Sequence, residues 1–171
     1  MLAYRDGDAG AFETLYARHR GALYRFVLRS LKGTASDRAI AEELFQEAWI
    51  RVIEARERYA PSARFTTWLY TIAHNLLVDR WRRKGLTLVE LEDEHASSDN
   101  PALQAEARES VARFLQALEG LPPAQREAFL LHEEAGMSVA EIAAATGINE
   151  EAAKSRLRYA LSKLRAAVSD G

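Results

Sequence analysis

The chain has 171 residues, 48% of them apolar and none of them cysteine, so it can build a sizeable core but no disulfide and no thiolate metal site. Its net charge of −2 argues against a protein that grips nucleic acid by bulk charge alone. No apolar run approaches the roughly 20 residues that cross a bilayer and no signal peptide is recognisable, so a cytoplasmic location without membrane insertion is expected.

Between sparse glycines and prolines the apolar residues recur every three or four positions, which predicts an all-α fold. A first helix follows Gly10, with Phe12, Leu15, Tyr16, Leu23, Phe26 and Val27 on one side. After Lys32-Gly33-Thr34 a second helix is expected from about Asp37 to Arg58. On one face of it Glu43, Glu47 and Glu54 align, with Ile50 exposed among them and Gln46 alongside. Most charged stripes are merely solvated, but an apolar residue inside an acidic stripe suits docking onto a basic helical partner.

Pro61 precedes a third helix, taken as Phe65 to Arg82, with Phe65, Leu69, Ile72, Ala73, Leu76 and Leu77 as its core stripe. Thr71, His74, Val78 and Arg82 fall on the opposite side. Trp68 and Asn75 flank that outer face on one edge, Tyr70 and Trp81 on the other, and Arg80, Arg82, Arg83 and Lys84 gather charge at the end. Any one of these aromatics is explained more simply as core. Together, stacking rings, an amide and a cluster of bases are what single-stranded DNA or an extruded base requires. Residues 1–84 carry 15 basic against 10 acidic side chains.

Residues 85–100, "GLTLVELEDEHASSDN", hold five acids, no base and no sustained helical period, and read as a linker. Asn100-Pro101 then looks like a helix start. Leu121-Pro122-Pro123 separates that helix from the next, which ends near Gly136. Two helical domains are therefore expected, 1–84 and 101–171.

The last two helices give the most specific local signal. Ser138 can cap a short helix and form a capping box with Glu141. Thr146-Gly147-Ile148 makes a turn in which glycine supplies positive φ. Asn149 caps the final helix, and Glu150 and Glu151 suit its positive end. Ala153, Leu157, Ala160, Leu161, Leu164 and Val168 form an inner stripe, while Ser155, Arg158, Tyr159 and Ser162 point outward, flanked by Lys154, Arg156 and Lys163. A short helix, a glycine turn and a long basic helix make a helix-turn-helix, whose second helix enters the major groove. Arginine reads guanine edges there, and lysine and serine hold phosphates. The plainer reading is a helical hairpin with a solvated basic face.

The whole pattern resembles the extracytoplasmic-function (group 4) sigma factors of bacterial RNA polymerase. "AEELFQEAWIRV" is similar to that family's core-binding helix, "RFTTWLYTIAHNLLVDRWRR" to its −10-binding segment, and "LPPAQREAFLLHEEAGMSVAEIAAATG…KSRL" to its −35-binding domain, in the right order. The resemblance implies a region 2 bundle and a region 4 helix-turn-helix, a partnership with the β′ and β subunits of core polymerase and with promoter DNA, and control by an anti-sigma factor. It implies that Glu43, Gln46, Glu47 and Ile50 dock on the β′ coiled coil. Phe65, Trp68 and Asn75 would open the −10 element and hold a flipped base, with Arg80, Arg82 and Arg83 on its backbone. Lys154, Ser155, Arg156, Arg158 and Tyr159 would read or grip the −35 element. The acidic linker would lie in a channel built for nucleic acid. Ala152 stands where the family often has threonine, which removes one phosphate contact.

A solitary helix-turn-helix regulator explains the C-terminal part but not Trp68, Asn75 or the acidic face. A sigma mimic that only sequesters an anti-sigma factor could dispense with the basic reading edges that this chain keeps. An enzyme is disfavoured: His19, His74, His95 and His132 are scattered with no metal-ligand spacing, and there is no phosphate loop or nucleophile elbow. No cofactor is expected.

Overall fold

In a computed structural model that describes residues 1–31, 35–83 and 106–169, the expected periodicity becomes eight α-helices among the described residues. These are α1 (Leu2–Arg5), α2 (Ala9–Ser30), α3 (Ala35–Glu54), α4 (Phe65–Arg83), α5 (Glu106–Glu119), α6 (Pro123–Ala135), α7 (Val139–Thr146) and α8 (Glu150–Ser169). The acidic linker, the helix start at Asn100-Pro101, Lys84 and His95 lie outside the described residues.

The short α1 was not foreseen. Asp8 follows it and caps α2, its carboxylate accepting the Ala11 amide at 3.2 Å. Helix α3 stops at Glu54, short of the expected Arg58, because residues 56–58 tighten into a 3₁₀ turn. That turn delivers Tyr59, 8% exposed, back onto the bundle. Helix α6 ends on Gly136 in the left-handed region (φ 62°).

Helices α1–α4 form one bundle. Leu23, Phe26 and Val27 of α2 meet Leu44, Trp49 and Val52 of α3 and Leu69, Tyr70, Leu76 and Leu77 of α4. Helices α5–α8 form the other, around Leu118, Leu130, Leu131, Ile142, Leu157 and Leu164. The two cores are not separate, since one cluster of buried side chains runs through both. The join is made by α6 lying against α2 and by α6 and α7 lying against α4. Truncating a fully buried leucine on either side, such as Leu77 or Leu130, is expected to cost about 2–5 kcal/mol.

This join corrects the helical-wheel reading of α4. The side assigned to solvent, marked by His74, is covered by the second domain, and His74 is only 6% exposed. Tyr70 and Trp81, read as edges of a DNA-facing surface, are buried as well. The Tyr70 ring stands edge-on to Phe26, centroids 5.1 Å apart. Burial raises its hydroxyl pKa, with the Glu134 charge adding to the effect. Of the expected core stripe, Phe65 and Ile72 are only half-buried. At the far end of α8, Val168 is exposed rather than internal.

Candidate functional site

Three surfaces stay open around this double core. The first is on α3, where Ala41, Leu44, Ala48, Trp49 and Val52 turn inward and hold the helix in one rotation. Glu43, Gln46 and Ile50 are thereby exposed and Glu47 half-exposed. Glu47 accepts from Arg51 Nε at 3.1 Å, one turn on, which fixes its carboxylate along the helix. Ile53 is exposed too, three residues after Ile50. Sequence reasoning missed it, although its spacing from Ile50 could have shown it. The result is an apolar pair framed by Glu43, Glu47 and Glu54.

The second surface is the edge of α4 that the other domain leaves uncovered. Trp68 is half-buried and seated: its ring stands edge-on to Tyr59 (5.0 Å) and tilted to Phe65 (5.9 Å), which leans in turn on His19 (5.4 Å). Tyr59, also missed from sequence, is the platform that orients it. Asn75 projects into solvent two turns further on. Arg82 and Arg83 are exposed and Arg80 half-buried; Arg82 lies 3.8 Å from Asp79, a separation that leaves its charge largely available. Phe65, Trp68 and Asn75 thus share one edge, with the arginines at its C-terminal end.

The third surface is the helix-turn-helix, formed as expected. Ser138 Oγ accepts the Glu141 amide at 3.3 Å, and Glu141 returns a bond from the Ser138 amide at 2.9 Å. Those bonds hold the Glu141 carboxyl below its ordinary pKa, the Ser138 amide first among the causes. Gly147 takes φ 70°, and Asn149 Oδ1 caps α8 by accepting the Ala152 amide at 2.8 Å. Ala153, Leu157, Ala160 and Leu164 anchor α8. Lys154, Arg158 and Tyr159 are exposed, Ser155 and Arg156 half-buried. The Arg158 guanidinium lies over the Tyr159 ring at 5.2 Å, which presents cation and ring as one unit.

A fourth cluster, hidden from sequence, lies where the domains meet. His74 Nδ1 and Glu127 Oε1 are 2.6 Å apart, both almost fully buried. Burial alone would lower the His74 pKa, and Arg156 acts in the same direction; the hydrogen bond and charge of Glu127 outweigh both and raise it. Arg126, beside Glu127 and 1% exposed, donates to the Glu119 carbonyl at 3.0 Å. Its pKa falls to about 10, burial outweighing the carboxylates of Glu119, Asp37 and Glu127. Among the described residues no group of histidines and carboxylates could hold a metal ion. No helix among them is long and apolar enough to cross a membrane.

Two bundles, one ending in a helix-turn-helix, with a basic and aromatic edge on the other, make the architecture of a helical DNA-binding protein. Residues 15–87 match the family Sigma-70 region 2 and residues 112–164 the family Sigma-70, region 4. RNA polymerase sigma factor CarQ of Myxococcus xanthus is 37% identical over 96% of this chain and 93% of its own length. ECF RNA polymerase sigma factor SigL of Mycobacterium tuberculosis is 30% identical over 92% and 89%. Among solved structures, CnrH in complex with the cytosolic domain of CnrY superposes with a TM-score of 0.67 at 26% identity, covering 99% of this chain and 95% of that one. The sigma factor RpoE of Bartonella quintana, solved with the anti-sigma factor NepR, shares the fold at a TM-score of 0.68 and 23% identity, over 92% and 96%. The chain belongs to the extracytoplasmic-function sigma factors of RNA polymerase. It directs promoter-specific transcription initiation and is a non-enzymatic subunit of the polymerase.

Proposed function

We propose that the three open surfaces divide the work of initiation among them. Glu43, Gln46, Glu47 and Ile50 dock on the β′ coiled coil of core polymerase, an apolar contact ringed by carboxylates that meet basic residues. Phe65, Trp68 and Asn75 capture a base extruded from the −10 element while Arg80, Arg82 and Arg83 hold the strand's phosphates. Lys154, Ser155, Arg156, Arg158 and Tyr159 read or grip the −35 element from the major groove. In this reading region 2 function belongs to residues 1–84, the −35 contact to residues 101–171, and the segment 85–100 ties them. Two modest contacts on one tether then give specificity through effective concentration. The protein works in the cytoplasm and is held in check by an anti-sigma factor, as RpoE is paired with NepR.

The observation that carries this reading is the seating of Trp68. Its ring is fixed on Tyr59 at 5.0 Å yet not enclosed, beside an exposed Asn75, which is the arrangement a stacked and hydrogen-bonded base needs. The test is reconstitution with core polymerase and a diverse library of promoter fragments. Specific transcripts bearing common −35 and −10 elements are expected. Binding to the polymerase with no transcript from any fragment would refute the assignment of the DNA surfaces.

A further inference from the structure

Helix α1 has no part in the three open surfaces, yet it touches the element that seats Trp68. Tyr59 reaches α4 because residues 56–58 form a 3₁₀ turn. Such a turn holds itself poorly, since its i→i+3 bonds have strained geometry and are few. Two backbone bonds close it, from the Arg58 amide to the Ala55 carbonyl at 3.1 Å and from the Tyr59 amide to the Arg56 carbonyl at 3.3 Å. Pro61 follows two residues later and has no amide to extend the series. With these bonds alone, Tyr59 and the indole that leans on it would sample several orientations.

Helix α1 takes hold of the turn at both ends. At its start, the Arg56 guanidinium lies over the Tyr4 ring, 4.8 Å from the centroid. At its close, Arg5 Nη1 donates to the Tyr59 carbonyl at 3.3 Å. A further bond, from Arg5 Nε to Asp6 at 2.9 Å, fixes that guanidinium in place. Both grips come from adjacent residues of one short helix, so they share an anchor. That anchor is the first bundle: Tyr4 is buried, its ring is 5.0 Å from Phe12 of α2, and Phe12 stands edge-on to Trp49 of α3 at 5.8 Å. Packing alone accounts for Tyr4. It does not account for Arg5, which is half-buried and directs its guanidinium to a carbonyl 54 residues away.

We propose that Tyr4 and Arg5 of α1 are positioning residues for base capture: by clamping the 3₁₀ turn they hold Tyr59, and through it Trp68, in the orientation that receives the extruded −10 base. The inference rests on the −10 reading given above. Neither residue touches the base; both act through Tyr59. Tyr4→Leu with Arg5→Ala removes the two grips while keeping an apolar side chain at the Tyr4 site. With core polymerase and a promoter selected from the fragment library, this variant is expected to form about five-fold fewer open complexes, read by permanganate reactivity. Its affinity for core polymerase is expected to stay at the wild-type value. Tyr4→Phe keeps a ring beneath Arg56 and is expected to open the promoter as the wild type does. The decisive arm repeats the double substitution in a Trp68→Ala background. There it is expected to have no further effect, because residues that act through one side chain do not add. Equal losses in both backgrounds would overturn the proposal and leave α1 a packing element. So would undiminished opening by the double variant in the chain that keeps Trp68. If the double variant has lost its thermal unfolding transition, Arg5→Ala alone, at a half-buried site, carries the same comparison. If Trp68→Ala by itself leaves opening unchanged, the −10 reading fails and the proposal falls with it.

Discussion

In the proposed −10 role, Trp68 and Asn75 show how little separates a packing residue from a reading one. The indole is half-covered by Tyr59 and Phe65, which restricts its rotamers and leaves part of the ring open. Stacking of one base on an aromatic ring is worth about 1–3 kcal/mol by alanine substitution. Trp68→Ala is therefore expected to lower open-complex formation about ten-fold or more, and Asn75→Ala to lower it as well, with polymerase affinity unchanged. Permanganate reactivity of the melted strand, beside a binding titration with core polymerase, separates the two effects. On α3 the expectation is reversed: Glu47→Lys with Ile50→Ala should lower affinity for core polymerase by about thirty-fold, the equivalent of about 2 kcal/mol, and leave the fold intact. Unaltered co-purification would remove that face from the interface. These residues were legible from sequence because exposure on α3 follows directly from the spacing of its apolar positions. Tyr59 was not, because its role depends on the 3₁₀ turn that carries it back to α4.

Element by element, the helix-turn-helix is the part most completely encoded in local chemistry. Ser138, Gly147 and Asn149 each act within four residues of themselves, and Glu141 closes the capping box locally while also accepting from Thr67 of the other bundle. The Cβ of an alanine at Gly147 would meet nothing within 4 Å, so the penalty of Gly147→Ala is backbone strain alone. A left-handed residue with a side chain costs roughly 1–2 kcal/mol, to be measured as a lowered midpoint in thermal unfolding. If stability were unchanged, the turn would have to accept another geometry, and the angle between α7 and α8 would no longer be set by this glycine. Arg158→Ala is expected to weaken use of the −35 element by about 1–3 kcal/mol if its guanidinium reads a base edge. Transcription from paired promoters with and without an intact −35 element measures it. Equal losses on both would place Arg158 on phosphate rather than on a base. Helix α4 illustrates the opposite situation. Its ends and the Leu69, Ala73, Leu76 and Leu77 part of its apolar stripe follow from sequence, yet its polar side is divided between solvent and a second domain by contacts far away in the chain.

Across the whole molecule, the buried His74–Glu127 pair makes the stability of the packed bundles sensitive to pH. His74 is faced by Glu127 from α6 and by Arg156 from α8, with Arg126 next to Glu127 and Asp37 opposing Arg126 from α3. The pair raises the His74 pKa above the ordinary 6.5 that it regains on unfolding. A group whose pKa is raised on folding contributes fully below its unfolded value and loses that contribution as pH rises through its folded value. The stability contributed by the pair is thus expected to be full below about pH 6.5 and to fade above it. Arg126, at about 10, does not titrate in that range. A pH series of thermal unfolding should show this contribution falling as pH rises through the His74 pKa, and His74→Ala should flatten that part of the dependence. A contribution that grows with rising pH would contradict the assignment of the pair.

The sequence by itself determined most of the helices, the caps of the helix-turn-helix and the acidic-apolar face of α3, and it marked the two edges proposed to face the promoter. Each depends on residues within one or two turns of one another, where period and side-chain chemistry suffice. Only the tertiary structure decided that one side of α4 is covered, that His74 is buried against Glu127, and that Arg25 and Arg29 converge on Glu134 more than a hundred residues away. A helical period gives the direction in which a side chain points, and contacts between distant segments decide whether it meets water or protein there.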